Sequence, residues 1–299
     1  RKGVNNMKFL RRNEESKRSI NSNTFLLFIT IGLFAAMYIA GMIIFEDKGF
    51  AKPQMFLNLF ISNAGLLVIA VGQTIVMITG GIDISVGSVT ALVCMAVANQ
   101  MEHHGMNAYM AVLLALFIGV AYGVVQGFLI SYLEIQPFIV SLAGLFFGRG
   151  LTSMISTEMI SIKNKTFLAW ANYKIYLPIG SYSRRGKFLP AYIYPTVIIA
   201  LLIVIIVAVI MKYTKFGREV YAVGGNAQSA MMMGLNVRKT KFKAYLLNGL
   251  LAGCGGFLFC LNSCSGFVEQ AKGLEMDAIS ASVIGGTLLS GGVGTPFGT

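Results

Sequence analysis

A single carboxylate, Asp83, lies within an otherwise apolar stretch of the sequence. A charged side chain is costly inside a lipid bilayer, so a carboxylate in such a stretch indicates a functional site. Asp83 and Ser85 also follow the pair Gly80 and Gly81, and side chains of these types commonly accept hydrogen bonds from the first amides of a helix. We therefore keep two interpretations open: a part in gating or transport, and a structural cap where a helix begins.

Polar amide side chains recur within other apolar stretches of the chain. Such groups can line a polar pathway, but their ordinary role is to link neighbouring helices by hydrogen bonds. Together with Asp83 and Ser85, the candidate pathway residues are Asn63, Gln73, Gln126 and Asn248.

Two glycine-rich stretches, residues 79–88 and 285–295, lie beside acidic residues in apolar surroundings; Glu275 and Asp277 precede the second stretch. Glycine clusters of this kind are needed where a helix is broken inside a membrane or where two helices pack very closely. Their occurrence in both halves of the chain suggests a duplicated transporter scaffold.

A polar segment, residues 214–243, carries the elements of a short helix. Asn226 is suited to begin the helix, Gly234 is suited to end it, and the methionines at 231–233 supply an adaptable apolar face. A short capped helix with such a face resembles a docking element for a soluble partner. The alternative is an interfacial helix that lies on lipid headgroups.

The sequence offers little support for chemistry carried out by this chain itself. The nearest approach to a phosphate-binding loop is residues 181–188, but Ser181 replaces its first glycine and Phe188 replaces the residue that would hold magnesium. The four cysteines are dispersed in apolar runs, and the Glu-His-His run at 102–104 is more typical of a solvated loop than of a metal site. We therefore expect a non-catalytic chain without a metal or a cofactor of its own.

Membrane-spanning helices must position these residues. Of the 299 residues, 56% are hydrophobic and 12% are charged, about half the charged share of a soluble domain. Apolar runs of about 20 residues, the length that crosses a bilayer, lie at 24–45, 56–78, 82–101, 108–132, 137–155, 192–213 and 244–264, and an eighth begins near Leu274. The pattern predicts an all-α integral membrane bundle of about eight spans, formed by one domain at 24–299 after a basic segment at 1–23.

The distribution of charge predicts the orientation of the bundle. The net charge of +12 would suggest a nucleic-acid partner for a soluble protein, but here the basic residues concentrate in segments 1–18 and 212–243 beside apolar runs. Lys and Arg in such short segments mark the cytoplasmic side. Six crossings separate the two segments, so both fall on that side, and the loop at about 156–191 falls outside despite its six basic residues. No nucleic-acid partner is expected.

Four blocks of sequence resemble the permease subunits of bacterial ABC sugar importers of the ribose, xylose and galactose type. The blocks lie in order at 71–88, 136–150, 216–234 and 275–294. Two further stretches, 156–178 and 289–295, look most like the permease of the galactofuranose importer. The resemblance implies the transmembrane domain of an ABC importer in the bacterial inner membrane, which translocates a monosaccharide, galactofuranose. It also implies that further spanning sequence follows Thr299 in a full-length member.

The same resemblance implies the partners. A cytoplasmic subunit would bind ATP and magnesium, a second permease, either a paralogue or a second copy, would complete a dimer within the lipid, and a periplasmic sugar-binding protein would deliver the substrate. The loop at about 214–243, which we call the coupling loop, would dock on the ATP-binding subunit. Its candidate residues are Gly224, Gly225, Asn226, Gln228, Ser229, Ala230 and Gly234.

Residues 228–234 keep the Ala and Gly spacing of the general importer coupling motif Glu-Ala-Ala-x-x-x-Gly, whereas Gln228 and Ser229 depart from its first two positions. Two other functions are compatible with the sequence. One is a branched-chain amino-acid ABC permease of related fold, and the other is an ion-coupled secondary transporter in which Asp83 carries the coupling ion. A structural membrane anchor is a third, simpler possibility.

Overall fold

The computed structural model describes residues 28–45, 49–182 and 188–299. The basic segment 1–23, predicted to be cytoplasmic, lies outside these residues. In chain order the helices are α1 (Phe28–Ile44), α2 (Pro53–Ile78), α3 (Val86–His103), α4 (Ala108–Ser131), α5 (Pro137–Ile155), α6 (Lys165–Asn172), α7 (Pro195–Tyr213), α8 (Lys215–Gly225), α9 (Ala227–Met232), α10 (Val237–Ser263) and α11 (Leu274–Ile284).

Two small antiparallel sheets accompany the helices. Strand β1 (Ile160–Ser161) pairs with β4 (Ser265–Gly266), and β2 (Ile175–Tyr182) pairs with β3 (Phe188–Ile193). All but β4 lie in or at the edge of the region predicted as a plain external loop at 156–191. Aromatic and β-branched residues recur along β2 and β3, and these residue types favour strands. The prediction of an all-α bundle is therefore confirmed only for the bulk of the protein.

The prediction of eight spans is not confirmed. Among the described helices, α2, α4, α5, α7 and α10 are long and apolar enough to cross a membrane. Helix α3 has 18 residues, but its last turn contains Glu102 and His103, which lower its mean hydropathy. Helix α11 lies where the eighth span was predicted to begin, but it has 11 residues and rises only about 16 Å, roughly half of a hydrocarbon core.

Helix α10 is the central helix of the bundle, and it packs between α2 and α4 through glycines. A Cβ atom built on Gly249 of α10 would lie 2.6 Å from the Cα of Gly123 in α4. On the other face of α10, a Cβ on Gly255 would lie 2.8 Å from the carbonyl oxygen of Gly65 in α2. Small residues of this kind let helix backbones approach closely inside a membrane. The spacing of the three helices is therefore set by backbone contact.

The bundle has two distinct ends, which α7 connects. The β2–β3 hairpin lies before α7 in the chain, and α8 lies after α7. Because α7 has 19 residues, it separates the hairpin from α8 by about 28 Å. We call these the hairpin end and the α8 end. At the hairpin end, the side chain of Gln54 accepts a hydrogen bond from the Tyr192 amide at 2.8 Å and donates one to the Tyr192 carbonyl at 3.1 Å. This pair of bonds attaches the hairpin to α2.

Candidate functional site

Asp83 lies in the non-helical segment between α2 and α3, where its side chain is buried. One carboxylate oxygen accepts hydrogen bonds from the Ser85 amide at 2.8 Å and the Ser85 hydroxyl at 2.7 Å. The other carboxylate oxygen accepts a hydrogen bond from the side-chain amide of Asn248, in α10, at 2.7 Å. The Gln126 amide of α4 donates to the Ser85 hydroxyl at 2.6 Å. One carboxylate thus joins the start of α3 to α10 and, through Ser85, to α4.

Gln73 adds α2 to this group. In the side-chain orientation that satisfies both of its polar atoms, its nitrogen donates to the Asp83 carbonyl at 3.0 Å and its oxygen accepts from the Asp83 amide at 3.2 Å. We call Gln73, Asp83, Ser85, Gln126 and Asn248 the polar cluster. Each member is at least 95% buried. The polar cluster therefore holds four helices together at the α8 end of the bundle.

The structure brings together all but one of the candidate pathway residues. Asn63 lies apart from the polar cluster, on an exposed face of α2, and its amide donates to the Leu59 carbonyl of the same helix at 2.8 Å. The hydrophobic surroundings of Asn63 and Asn248 are alike in the sequence. Only the packing of α10 against α2 and α4 separates their environments.

The geometry bears on both interpretations of Asp83. Ser85 occupies the N-cap position of α3, and its side chain makes no capping hydrogen bond with described residues. Asp83 instead binds the amide of Ser85, two residues farther along, which fixes the turn before the helix. Asp83 therefore orders the approach to α3 and ties it to α10, without capping the first turn itself. A part in gating stays a proposal.

Replacing Asn248 with leucine is expected to lower the free energy of unfolding by about 1–3 kcal/mol, since the substitution removes a donor to a buried carboxylate. Unfolding of the purified protein in detergent would measure this loss. Asn63→Leu is the matched control, because it removes the same amide from an exposed helix face, and we expect a change within about 0.5 kcal/mol. Equal losses in the two variants would contradict a linking role for the polar cluster.

A second polar arrangement, outside the candidate residues predicted from the sequence, centres on Arg149 of α5. The segment at 264–273 between α10 and α11 is largely non-helical, and the Arg149 guanidinium donates to the carbonyls of Val268 at 2.7 Å and Gln270 at 2.6 Å. Irregular backbone within a membrane protein requires such internal donors. Arg149 is thus a positioning residue. Its occurrence within an apolar run was the signal that could have identified it.

The coupling loop forms a helix where one was predicted. The Asn226 side chain accepts from the Ser229 amide at 2.8 Å, so it caps α9 as expected. Gly234 follows the helix with φ of +80°, a conformation that glycine adopts readily. Gln228 and Ser229 are exposed, whereas Ala230 is buried. Met231, Met232 and Met233 are also exposed, which leaves an apolar patch beside α9 open for contact.

Helix α8 was not predicted, although its apolar residues recur with helical spacing at Phe216, Val220 and Val223. It packs on the end of α2 and on the C-terminal glycine-rich stretch. The hydroxyl of Tyr221 donates to the Gly294 carbonyl at 2.7 Å. Burial raises the pKa of Tyr221 above its ordinary value, so this hydroxyl remains protonated and able to donate.

The last turn of α8 meets two other glycine-containing segments of the chain. Gly224 lies directly against the Ile78 carbonyl, which also accepts a hydrogen bond from the Gly292 amide at 2.8 Å. A Cβ built on Gly291 would lie 2.9 Å from the Gly80 amide nitrogen and 3.0 Å from the Gly224 oxygen. We call Gly80, Gly224, Gly291 and Gly292 the glycine junction. It places the coupling loop in backbone contact with the segment that leads directly to Asp83.

Within the described ranges, no group of three or more His, Cys, Asp or Glu side chains is arranged to hold a metal ion. The polar cluster carries one carboxylate whose oxygens both accept hydrogen bonds from protein groups. The glycine junction puts α8, which leads directly into the exposed helix α9, in backbone contact with the segment that carries Asp83.

Comparison with known proteins matches this chain to a family of transport permeases and to individual permease proteins. Residues 54–299 match the family described as the branched-chain amino acid transport system / permease component. The inner membrane ABC transporter permease protein YjfF of Escherichia coli (strain K12) is 39% identical over 275 residues, which are 91% of this chain and 79% of the relative.

Two further relatives have similar coverage. The fructose import permease protein FruG of Bifidobacterium longum (strain NCC 2705) is 33% identical over 89% of this chain and 76% of the relative. The ribose import permease protein RbsC of Escherichia coli (strain K12) is 33% identical over 89% of this chain and 80% of the relative. No solved structure matches the chain.

Proposed function

The chain belongs to the permease subunits of ABC sugar importers, and on this premise we propose that it carries galactofuranose across the bacterial inner membrane. The relatives named for fructose and ribose support a monosaccharide as the class of substrate. The narrower choice of galactofuranose is supported by the resemblance of residues 156–178 and 289–295 to that importer's permease. The chain itself would be the translocation subunit and would perform no chemistry on the sugar.

We propose that the α8 end faces the cytoplasm and that an ATP-binding subunit, with its ATP and magnesium, docks on α9. The observation that supports this most is the glycine junction, because it puts α8, the helix that leads directly into the exposed α9, in backbone contact with the bundle interior. Displacement of α8 and α9 would move Ile78 and the adjoining segment that carries Asp83. The hydrogen bond from Asn248 to Asp83 would pass this displacement to α10, and the helices would then tilt between inward and outward access.

The remaining partners follow from the same arrangement. A periplasmic sugar-binding protein would approach the hairpin end, where α6 and the β2–β3 hairpin lie. A second permease would complete the pathway within the lipid bilayer. Two fructose import permease proteins of Bifidobacterium longum, FruG and FruF, are both similar to this chain, which supports a pair of paralogous permeases. A dimer of two identical copies is the alternative.

Uptake by the complete importer in proteoliposomes tests the proposed function. Labelled galactofuranose, delivered by the sugar-binding protein, is expected to enter only when ATP is available to the ATP-binding subunit. Unlabelled leucine is not expected to compete, whereas unlabelled galactofuranose is. Competition by leucine would favour the branched-chain amino-acid permease, the second candidate, which the description of the matching family supports.

The ion-coupled transporter is distinguished in the same vesicles. Ionophores that abolish ion gradients are expected to leave uptake unchanged while ATP is present. Uptake that persists without ATP and stops with an ionophore would overturn an ABC mechanism. Competition by ribose or fructose instead of galactofuranose would leave the sugar importer in place and overturn only the choice of sugar.

A further inference from the structure

A cavity of about 660 Å³ opens at the α8 end of the bundle, between the α4–α5 turn and the turn that joins α9 to α10. Its polar and charged lining is distinct from the polar cluster and from the glycine junction. We call it the basic cavity. Met231 and Gly234 of the coupling loop border it, and its polar and charged lining residues are Ser131, Glu134, Gln136, Asn236, Arg238 and Lys241.

Two helix N-termini point their positive ends toward the basic cavity. Helix α5 begins after Gln136 and α10 begins after Asn236, and both residues line the cavity. The first turn of each helix contains no acidic residue. The first amides of a helix carry a partial positive charge and favour a nearby anion. The helix ends therefore contribute a positive potential that no acidic side chain in either first turn neutralises.

The charged side chains add to this potential. Arg238 pairs with Glu134 at 2.8 Å, and Glu134 is the acidic residue in the lining. Lys241 is half-buried and forms no salt bridge with the residues that the structure describes. One cation of the basic cavity is thus left without a counter-charge beside two helix N-termini.

Ser131 provides an independent indication of a ligand. Ser131 lines the basic cavity, its side chain is 2% exposed, and its buried hydroxyl has no hydrogen-bond partner among the described residues. A buried hydroxyl that is left unpaired costs free energy, so such groups are normally satisfied. A ligand oxygen that accepted a hydrogen bond from Ser131 would satisfy this hydroxyl.

We propose that the basic cavity binds a phosphate group. Phosphate accepts several charged hydrogen bonds at once and is the anion that helix N-termini commonly hold. The cavity lies where α4, α5 and α10 leave the apolar region, so the phosphate can belong to an anionic lipid headgroup or to a free phosphate. The inference does not depend on which sugar is carried; only the placement of the cavity at the cytoplasmic leaflet rests on the proposed function.

The test uses the complete importer in lipid nanodiscs. In phosphatidylcholine discs, equilibrium binding of radiolabelled orthophosphate detects a site for free phosphate. In discs that also contain phosphatidylglycerol, native mass spectrometry counts the anionic lipids that stay bound. Lys241→Gln is expected to weaken binding by about tenfold in whichever assay detects the ligand, the loss that removal of one charged hydrogen bond brings.

Lys239→Gln is the matched control, because Lys239 is exposed on the same helix and does not line the basic cavity. We expect its binding to equal that of the unaltered importer. Ser131→Ala, a smaller change, is expected to weaken phosphate binding as well. This second variant tests the proposal even if the Lys241→Gln importer does not assemble. The proposal would be overturned by the absence of binding in both assays or by equal losses in Lys239→Gln and Lys241→Gln. Uptake measured on the same preparations reports separately on the proposed function.

Discussion

Replacing Gly249 with leucine is expected to abolish accumulation of folded permease. A Cβ atom at this position already meets the Gly123 Cα at 2.6 Å and its amide nitrogen at 2.7 Å. Both obstacles are backbone atoms, which cannot rotate away as the end of a side chain can. The branched side chain would force α10 away from α4 and disturb Asn248, the adjacent residue. We expect a cost above about 4 kcal/mol, a large fraction of the stability of a typical protein.

The matched control is Gly150→Leu in α5, where nothing lies within 4 Å of the added Cβ. Both variants place the same side chain in an apolar helix. Detergent extraction and size-exclusion chromatography of a fluorescently tagged permease would measure the folded fraction of each. A folded fraction for Gly249→Leu that equals the control would show that α4 and α10 do not depend on this contact.

Replacing Gly224 with alanine is expected to uncouple transport from ATP hydrolysis. The added methyl group would collide with the Ile78 carbonyl oxygen, which also accepts a hydrogen bond from the Gly292 amide. Helix α8 must therefore move away from Ile78 and Gly292. Uptake per ATP hydrolysed is expected to fall by about 5- to 150-fold, the effect of losing a coupling free energy of about 1–3 kcal/mol. Parallel assays of sugar uptake and ATP hydrolysis in proteoliposomes would measure the ratio.

Gly225→Ala controls for this experiment, because the neighbouring glycine has nothing within 4 Å of an added Cβ. It is expected to keep the normal ratio of uptake to hydrolysis. Co-purification of the ATP-binding subunit with each variant separates weakened docking from weakened transmission. A Gly224→Ala importer that assembles and transports normally would contradict the role of the glycine junction.

Local features of the coupling loop were predictable from the sequence. The capping side chain of Asn226 and the positive φ of Gly234 act within a few residues, so their types indicated where α9 begins and ends. The apolar residues of α8 have an equally local helical spacing, but this helix was not predicted. Gly224 and Gly225 lie in its last turn, and glycine lowers helix propensity. The type of contact that those glycines make was not visible in the sequence.

The polar cluster shows where prediction from residue type ends. Asn63 and Asn248 are the same residue type in similar apolar runs, yet one lies on an exposed helix face and the other donates to Asp83. Arg149 likewise acts on the carbonyls of Val268 and Gln270, more than a hundred residues away. Pairings over such separations depend on how the helices cross, which the order of residues along one helix does not specify.

Hydropathy and the lengths of the apolar runs, which depend on neighbouring residues, were enough to predict an integral membrane protein, and the capping residues were enough to predict the short helix α9. The resemblance of four blocks pointed to the ABC sugar permeases; residues 54–299 match the family described as the branched-chain amino acid transport system / permease component, and two relatives are named as fructose and ribose import permeases. The contact among Gly80, Gly224 and Gly291 and the short length of α11, 11 residues, became visible in the folded protein alone. The physical reason is that backbone contact between distant segments arises from the packing of whole helices, and a short sequence window carries no record of it.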